Sequence, residues 1–506
     1  MTHTSTVLVV ENFATFEHNA YNPKTEIESW KFDQDLPKEG FPIRPVGGIN
    51  RTSIDHGALV LNRLVGNIEI PYSQNHSDTF NLSTDLQKKE GKTEQSQKTI
   101  GTAPEGTKIL YSYLTDKVED INLNITPLSG MIDKINTKEA RVNFLNNVYQ
   151  KAENKEIKLD VISMSDSYGD VGSQELMKIE ILDQGLGCLT TPMRYLNNKD
   201  TEKEKELKIK EQWKDKDTLE KKHPELLVFS SKSRAKFDEF SKKYRNLKGD
   251  IKEKLKDKDL QILLQELHDT LLENVTNLKN NGKLTDKNYK YFNRLLSEGL
   301  NALKYDPATG KFPYLEQEKE TISKLFERSQ LLYDNYTKIK ENFKAKNIPF
   351  FSVDTAKDYG IEVHGLNQDG TINMENEDSR RPKTLSAENT FLFPNEKICS
   401  PKSYKTNDEM YNNNGRGGIS SLVPSMAGLF AQARSINPTI NMKSFIQTLK
   451  KSCEDFGNKK FKPASDKKGL YGGYVVDNEV IERFKTKVQE NYIAQQESAR
   501  RMQNSK

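Results

Sequence analysis

The amino-acid sequence predicts an α/β fold in which a parallel sheet is flanked by helices and an all-α helical bundle is inserted. Three observations support this prediction. A β-branched run opens the chain at Thr6, and strand-like runs separated by Gly, Pro, Asn and Asp continue to about residue 190. A helical period then extends from about Arg234 to Asn347. The chain has 506 residues, which is enough for one large α/β domain and an additional unit.

The first predicted element is the run from Thr6 to Val10, which reads TVLVV. An uninterrupted β-branched and apolar run of this length is typical of a parallel strand that is buried on both faces. Glu11 follows directly, so its carboxylate is expected at the carboxyl end of this strand. The alternative interpretation of Glu11 is a solvated residue that ends a strand.

A His-Gly pair at His56 and Gly57 lies in the segment IDHGALV. A second pair begins at His364, close to the turn signal Asp369-Gly370, and is predicted to lie in a loop. A single His-Gly pair is weak evidence for a site. We prefer His56 as a candidate because it lies between the acidic strand end and a serine-containing helix later in the chain.

The middle of the chain is predicted to form helices. The stretch from about Asn198 to Lys222 is almost wholly charged, which is typical of a solvated helix or a disordered loop. Three apolar stripes follow, and their three- and four-residue spacing predicts an antiparallel bundle whose helices pack on one another; a groove for a partner helix is the alternative. A C-cap signal at Asn280-Asn281-Gly282 ends the first helix. The stripes are Leu260, Leu264, Leu267, Leu271, Val275 and Leu278; Tyr289, Phe292, Leu296, Leu300 and Leu303; and Ile322, Phe326, Leu332, Tyr336, Ile339 and Phe343.

The run from Gly418 to Gly428 reads GISSLVPSMAG and contains the candidate nucleophile Ser420. A nucleophilic serine needs an exposed Oγ at a helix N-terminus, where free backbone N–H groups and the positive end of the dipole stabilise an oxyanion. Small residues later in the helix would let it pack closely against its neighbours. The alternative is a Ser-capped helix whose buried face is formed by Met426, Leu429, Phe430 and Ala433.

These features, in this chain order, resemble the subtilisin-like serine proteases. The segment around His56 is similar to the family's His-Gly-x-x-Val motif, and five residues of the serine run match the spacing of its serine motif. The resemblance implies a subtilisin-like fold and a catalytic triad of Glu11, His56 and Ser420. The matching residues of the serine run are Gly418, Ser420, Pro424, Ala427 and Gly428.

Four further segments resemble parts of the same family. They are Leu159 to Ser165, similar to the strand that lines the substrate cleft; Leu226 to Ser231, similar to the strand before the oxyanion-hole loop; Phe393 to Ile398, similar to the segment before the serine; and Gly472 to Val476 with Val480 and Ile481, similar to the closing strand and last helix.

By the same resemblance, Met164, Ser165 and Asp166 would line the substrate cleft. The acidic residue in this group suggests substrates with basic or polar side chains.

The chain departs from the family at two catalytic positions. An alignment on Leu227 to Phe229 puts Ser233 where the family has the Asn of the oxyanion hole, and the backbone N–H of Ser420 would be the other donor. Loss of such a donor costs about a hundred- to a thousandfold in turnover, a figure that was measured on a subtilisin. Glu11 replaces an Asp, and its extra methylene moves the carboxylate by about the length of one C–C bond. A misplacement of about 1 Å in an active site can lower the reaction rate about a hundredfold.

The domain organisation follows from these assignments. The first part of a subtilisin-like catalytic domain is predicted for residues 1–234 and its second part for residues 347–485. The helical insertion is predicted for residues 235–346, and a charged helical tail for residues 486–506.

Composition limits the partners and the compartment. The chain has 77 basic and 73 acidic residues, and this near balance argues against nucleic acid as the main partner. No run of 18 or more apolar residues occurs, so no transmembrane helix is predicted. The widely spaced Cys188, Cys399 and Cys453 give neither a disulfide framework nor a zinc site. The first strand begins close to Met1, so we expect a cytoplasmic protein or one that is exported without an N-terminal signal peptide.

Two functional hypotheses follow. The first is a serine endopeptidase that cleaves protein or peptide substrates, in which Ser420 attacks, His56 transfers protons, Glu11 orients His56, and Ser233 with the Ser420 N–H binds the oxyanion. The second is a catalytically impaired pseudoprotease that presents its helical insertion to a protein partner. No cofactor is expected. Structural calcium occurs in some members of the family, but the loop at Asn367 to Gly370 lacks the ligand spacing of an EF-hand.

Overall fold

The computed structural model describes residues 3–11, 24–31, 57, 60–71, 96–113, 126–165, 172–194, 231–282, 286–353, 358–366, 372–373, 389–394, 400–401, 411–412, 419–454, 460–461 and 473–504. These residues form an α/β structure in which a parallel sheet is flanked by helices on both faces. The α/β class and the parallel sheet are therefore confirmed.

The described strands form two five-stranded sheets and two short pairs. In chain order they are β1 (Thr6–Glu11), β2 (Glu26–Lys31), β3 (Asn67–Pro71), β4 (Ser96–Ile100), β5 (Lys108–Tyr113), β6 (Val161–Met164), β7 (Phe350–Ser352), β8 (Glu362–Leu366), β9 (Ile372–Asn373), β10 (Thr390–Pro394), β11 (Ser400–Pro401), β12 (Tyr411–Asn412), β13 (Lys460–Phe461) and β14 (Gly473–Val475).

The described helices are, in chain order, α1 (residues 60–65, with Gly57 also helical), α2 (Pro127–Glu153), α3 (Gln174–Arg194), α4 (Ser231–Asn246), α5 (Ile251–Lys254), α6 (Lys258–Asn280), α7 (Asp286–Leu303), α8 (Pro313–Gln317), α9 (Lys319–Ala345), α10 (Ile419–Ile436), α11 (Met442–Glu454) and α12 (Asn478–Asn504).

The main sheet has the strand order β2-β5-β1-β6-β7, and all of its strands are parallel. The central strand β1 is buried along its whole length, as its sequence predicts. Val7 and Val9 belong to the hydrophobic core on one face, whereas Leu8 and Val10 belong to the core on the other. Because both faces of β1 are covered, the consecutive positions Val7 to Val10 are all apolar rather than every second one.

Helices from two distant parts of the sequence cover the Leu8 face. The inserted helices α6, α7 and α9 share one hydrophobic core with α2 and α3, which precede them in the chain. The three predicted stripes face this core. The prediction that the helices pack on one another is confirmed for α6 and α7, whereas α9 packs on α2 and α3. The C-cap signal is also confirmed, since Asn281 caps α6 and Gly282 follows with a φ of +67°. The predicted boundary between residues 234 and 235 falls inside α4.

The Val7 face is covered by α1, α10, α11 and α12, together with residues of the second sheet. The second sheet has the order β13-β14-β10-β8-β9, and its strands β8, β10 and β14 run parallel. The predicted closing strand and last helix are confirmed as β14 and α12. The predicted boundary between residues 485 and 486 falls inside α12, where Phe484 and Val488 are both buried.

The prediction of a loop at His364 is wrong. His364 lies in β8, where it pairs with Leu392 of β10, and its Nε2 lies 2.9 Å from Glu362 Oε2. His364 and the neighbouring Val363 are both buried, and the turn signal Asp369-Gly370 comes after the strand in the sequence.

Two further predictions lie partly or wholly outside the described residues. The predicted strand at residues 226–229 lies wholly outside them, and α4 begins at Ser231. Of the segment from Phe393 to Ile398, Phe393 and Pro394 end β10 and the rest lies outside the described residues.

Candidate functional site

Glu11 ends the central strand at the carboxyl edge of the main sheet. Side chains alternate between the two faces of a strand, so Glu11 shares the face of Val7 and Val9, which is the face that α1 and α10 cover. The residue is only 8% exposed. This burial is not that of a solvated strand end, which was the alternative interpretation.

Ser165 lies beside Glu11 at the same edge. Val10 pairs with Met164 in the parallel register, and continuing this register by one residue brings Ser165 next to Glu11. Ser165 is buried, and its hydroxyl has no hydrogen-bond partner within the described part of the chain. A buried hydroxyl of this kind retains a donor and an acceptor that a bound molecule can use.

Met164 points away from this edge. Its side chain is fully buried in the core that contains the inserted helices, on the face opposite to Glu11. The prediction that Met164 lines the substrate cleft is therefore wrong for its side chain. Asp166, the third predicted cleft residue, lies outside the described residues.

The strand order adds an independent reason to examine this edge. The chain leaves β1 toward β2 and β5 on one side of the sheet, and it leaves β6 toward β7 on the other side. Ligands of open parallel α/β sheets bind at such a switch point, in the crevice at the carboxyl ends of the two strands. Glu11 and Ser165 lie at this switch point, and we call the position where the rule predicts a ligand crevice the switch-point crevice.

The orientation of α10 follows from two hydrogen bonds near its C-terminus. Ser5, which precedes β1, donates its hydroxyl to the Ala431 carbonyl oxygen at 2.7 Å. Arg434 donates to the carbonyl oxygen of Asn347, which lies shortly before β7. Both contacts are at the amino edge of the sheet, and α10 also contacts β1, β6 and β7. The helix therefore runs antiparallel to the strands, with its first turn toward the carboxyl edge.

The lengths of the two elements agree with this orientation. The 11-residue step from Ser420 to Ala431 rises about 17 Å along a helix. The 6-residue step from Ser5 to Glu11 spans about 20 Å along a strand. The backbone of Ser420 therefore lies at about the height of Glu11. The side chain of Ser420 and the whole of His56 lie outside what the structure describes.

Pro424 changes the hydrogen bonding of the first turns of α10. Proline has no backbone N–H, and in a regular helix the N–H at this position would bond to the Ser420 carbonyl. The missing bond weakens the helix at the turn that contains Ser420.

Thr102 connects α1 with α10. Its Oγ1 lies 2.9 Å from the Ser425 carbonyl oxygen of α10 and 3.3 Å from the Arg63 carbonyl oxygen of α1. A Cβ on Gly428 would lie 2.1 Å from the same Oγ1, so the close approach requires glycine there. No local sequence pattern indicates Thr102, because its role depends on two helices that are far apart in the chain.

Gly57 and Ser420 lie near the starts of the two helices that Thr102 connects. Gly57 directly follows His56, the candidate base.

Ser233 lies elsewhere, and its assignment to the oxyanion hole is corrected. It is fully buried within α4, and its hydroxyl accepts a hydrogen bond from the side-chain amide of Asn274 in α6. The strand next to β6 is β7, so the segment that leaves the sheet beside the switch-point crevice follows Ser352. The alignment failed because the helices α3 to α9 separate β6 from β7 in the sequence, and a short apolar run does not show where β7 begins.

Potential metal-ligating side chains and free thiols also occur in the described part of the chain. No group of three or more His, Cys, Asp or Glu residues that could hold a metal occurs there. Cys188 and Cys453 are free thiols, and burial raises the pKa of each to about 12, which keeps them protonated at neutral pH. Cys399 and the loop at Asn367 to Gly370 lie outside the described residues.

Among the described helices, none combines the length and the apolar character needed to cross a bilayer.

No protein-family model matches this chain, and comparisons with curated proteins and with solved structures found no match. The family resemblance therefore depends on the motifs and on the arrangement described above.

Proposed function

We propose that the protein is a subtilisin-like serine peptidase that hydrolyses peptide bonds with Ser420, His56 and Glu11. The observation that supports this most strongly is the direction of α10. This helix runs antiparallel to β1 on the face that Glu11 shares, so its first turn and Glu11 meet at one edge of the sheet.

The roles follow from the chemistry of acyl transfer. Ser420 Oγ attacks the peptide carbonyl while His56 takes the hydroxyl proton, and His56 then gives that proton to the leaving amine. Glu11 holds the imidazole in the required tautomer and stabilises the imidazolium. Its burial favours this role, because a carboxylate shielded from water interacts more strongly with a charged ring.

The oxyanion would be bound by two donors. The backbone N–H of Ser420 is in the first turn of α10, where helix N–H groups have no intrahelical partner. We propose that the second donor comes from the segment after Ser352 rather than from Ser233. In this segment Thr355 has a hydroxyl that can donate.

The substrate would be a peptide bound over the switch-point crevice. The buried Ser165 hydroxyl has hydrogen-bonding capacity there. Asp166 follows Ser165 in the sequence and favours basic or polar substrate side chains.

A fluorophosphonate probe tests the proposal, because it reacts covalently with an activated serine. We expect the wild-type protein to be labelled, and Ser420→Ala and His56→Ala to be unlabelled. Glu11→Gln should label about 10⁴-fold more slowly, because the amide favours the wrong imidazole tautomer. Ser421→Ala is the matched control, since it removes the neighbouring hydroxyl only, and it should label as wild type does. Undiminished labelling of Ser420→Ala would refute the assignment.

The alternative is a pseudoprotease that acts as a protein-binding scaffold. Two observations favour it: Glu11 in place of an Asp, and the burial of Ser233 away from the crevice. Folded wild-type protein that is not labelled by the probe would support this alternative and reject the peptidase.

A further inference from the structure

A cavity of about 330 Å³ lies at the amino edge of the main sheet, opposite to the switch-point crevice. The segments that enter β6 and β7 and the end of α10 form its walls. Tyr149, Leu159 and Ile348 contribute aromatic and aliphatic surface. The proposed peptidase chemistry does not use this cavity.

The polar part of the lining is positively charged. Lys155, Lys158, Lys346 and Arg434 line the cavity, and none of the residues that line it is acidic. Lys346 pairs with Glu153 at 3.3 Å, and Lys158 Nζ lies 2.6 Å from His3 Nδ1. The remaining two cations, Lys155 and Arg434, have no carboxylate within salt-bridge distance in the described part of the chain.

Arg434 is the deepest of these cations, at 9% exposed. It donates from its two Nη atoms to the carbonyl oxygens of Pro438 and Asn347, but its buried Nε has no partner among the described residues. Burial lowers the pKa of Arg434, and the charge of Asp160 offsets this only in part. A buried cation without a paired anion is costly, so a bound anion would stabilise it.

Basic residues at helix C-termini often do no more than balance the helix dipole or donate to the last carbonyl groups, and α2, α9 and α10 all end at this cavity. At α2 and α9, backbone N–H groups already donate to one of these terminal carbonyl groups. Glu156 N–H bonds to the Lys151 carbonyl after α2, and Ile348 N–H bonds to the Phe343 carbonyl after α9, as in Schellman caps. These two carbonyl oxygens therefore have backbone donors and do not need the lysines as hydrogen-bond partners.

We propose that this cavity binds a small organic anion, with a carboxylate or phosphate group near Arg434 and Lys155 and an apolar body against Tyr149 and Ile348. The volume supports a body of one ring, since a cavity of about 150 Å³ holds benzene. Phosphate and carboxylate groups both match the donors of a guanidinium. This proposal does not depend on the peptidase assignment.

Isothermal titration calorimetry with phenyl phosphate, benzoate, inorganic phosphate and phenol tests the proposal. We expect one saturable site for phenyl phosphate or benzoate, and the tighter of the two identifies the head group. Phenol, which lacks the charge, should bind at least about tenfold more weakly. Inorganic phosphate that binds as tightly as phenyl phosphate would overturn the apolar subsite.

Charge reversal locates the site. Lys155→Glu should weaken binding at least about tenfold, because it replaces attraction with repulsion. Lys290→Glu makes the same charge change on the exposed surface of α7 and should leave affinity unchanged. Lys158→Ala is a second variant if Lys155→Glu fails to fold, which its thermal unfolding midpoint reveals. Absence of saturable binding to folded wild type, or equal affinity in wild type and Lys155→Glu, would overturn the proposal.

Discussion

Asp133 in α2 is a carboxylic acid that the fold keeps partly out of water. Burial raises its pKa from 3.8 to about 7. Between these values the folded protein retains a proton that the unfolded chain releases, so the contribution of Asp133 to stability falls as pH rises from about 4 to about 7. Above pH 7 the folded protein bears the full cost of the buried charge.

Asp133→Asn should therefore stabilise the protein at alkaline pH. We expect a gain of about 1–2 kcal/mol at pH 8, after allowance for solvent screening, and almost none at pH 4. Urea denaturation at both pH values measures the difference between variant and wild type. Asp238→Asn, at an exposed position of α4, is the control and should change stability little at either pH. A constant difference between Asp133→Asn and wild type across this range would contradict the argument.

Single residues also show what sequence alone can and cannot predict. The position of Glu11 at the end of a buried strand was predictable, because the β-branched and apolar run from Thr6 to Val10 before it indicates that strand. Its neighbour Ser165 was assigned to the correct region, but adjacency to Glu11 depends on strand register, which the sequence does not encode locally. Ser233 and His364 were misassigned because short motifs were interpreted without their tertiary context.

At the scale of elements, α10 packs closely against Thr102 and Ala103, which precede β5. This contact fixes the position of the helix that carries Ser420. Gly428 permits this approach, since an added Cβ would lie 2.1 Å from Thr102 Oγ1 and 2.8 Å from the Ala103 backbone nitrogen. A backbone atom cannot rotate away as a side chain can. The helix must therefore shift if the glycine is replaced.

Gly428→Ala should destabilise the protein by about 1–3 kcal/mol, as overpacking does in other cores. Chemical denaturation measures the loss. Gly130→Ala is the matched control, because it adds the same methyl group inside α2, where the nearest atom is the flexible Gln184 Oε1 at 3.2 Å. Alanine is favoured over glycine in a helix interior, so this variant should gain about 0.5–1 kcal/mol. Equal stability of Gly428→Ala and wild type would disprove the packing argument.

The helices themselves were the most predictable elements. The stripes at three- and four-residue spacing mark the buried faces of α6, α7 and α9, because a helix in a soluble protein buries one face and exposes the other. Their partners were less predictable. The stripe of α7 packs on α3, and Gly185 of α3 and Gly299 of α7 lie so close that a Cβ on Gly299 would be 2.9 Å from the Gly185 carbonyl oxygen.

At the scale of the whole molecule, the position of the candidate site depends on the order of the strands in the main sheet and on which helices pack against that sheet. The strands on either side of the switch-point crevice, β1 and β6, are separated in sequence by β2 to β5 and by α1 and α2. Periodicity predicts each of these elements but not their order in the sheet. The sequence accordingly predicted the class of the fold, but it did not predict that the inserted helices also pack on α2 and α3.

The last prediction concerns removal of the helical insertion, residues 235–346. If the insertion were an independent module, its deletion would leave the sheet folded. Instead, its apolar faces share one core with α2, α3 and the Leu8 face of the sheet. Removal of the insertion would expose apolar side chains of this core to water. If only five large ones were exposed, the cost would be about 7–15 kcal/mol, which is about the entire free energy of unfolding of a typical domain.

We therefore expect the deletion variant to lose cooperative thermal unfolding, as followed by circular dichroism, whatever its catalytic competence. A truncation after Gln496 is the control, because the removed part of α12 is exposed and lies beyond Gln495, which accepts a hydrogen bond from Asn437. That variant should unfold at nearly the wild-type temperature. A deletion variant that unfolds cooperatively at the wild-type temperature would mean that the sheet and helices α2 and α3 do not need the inserted helices to close their core.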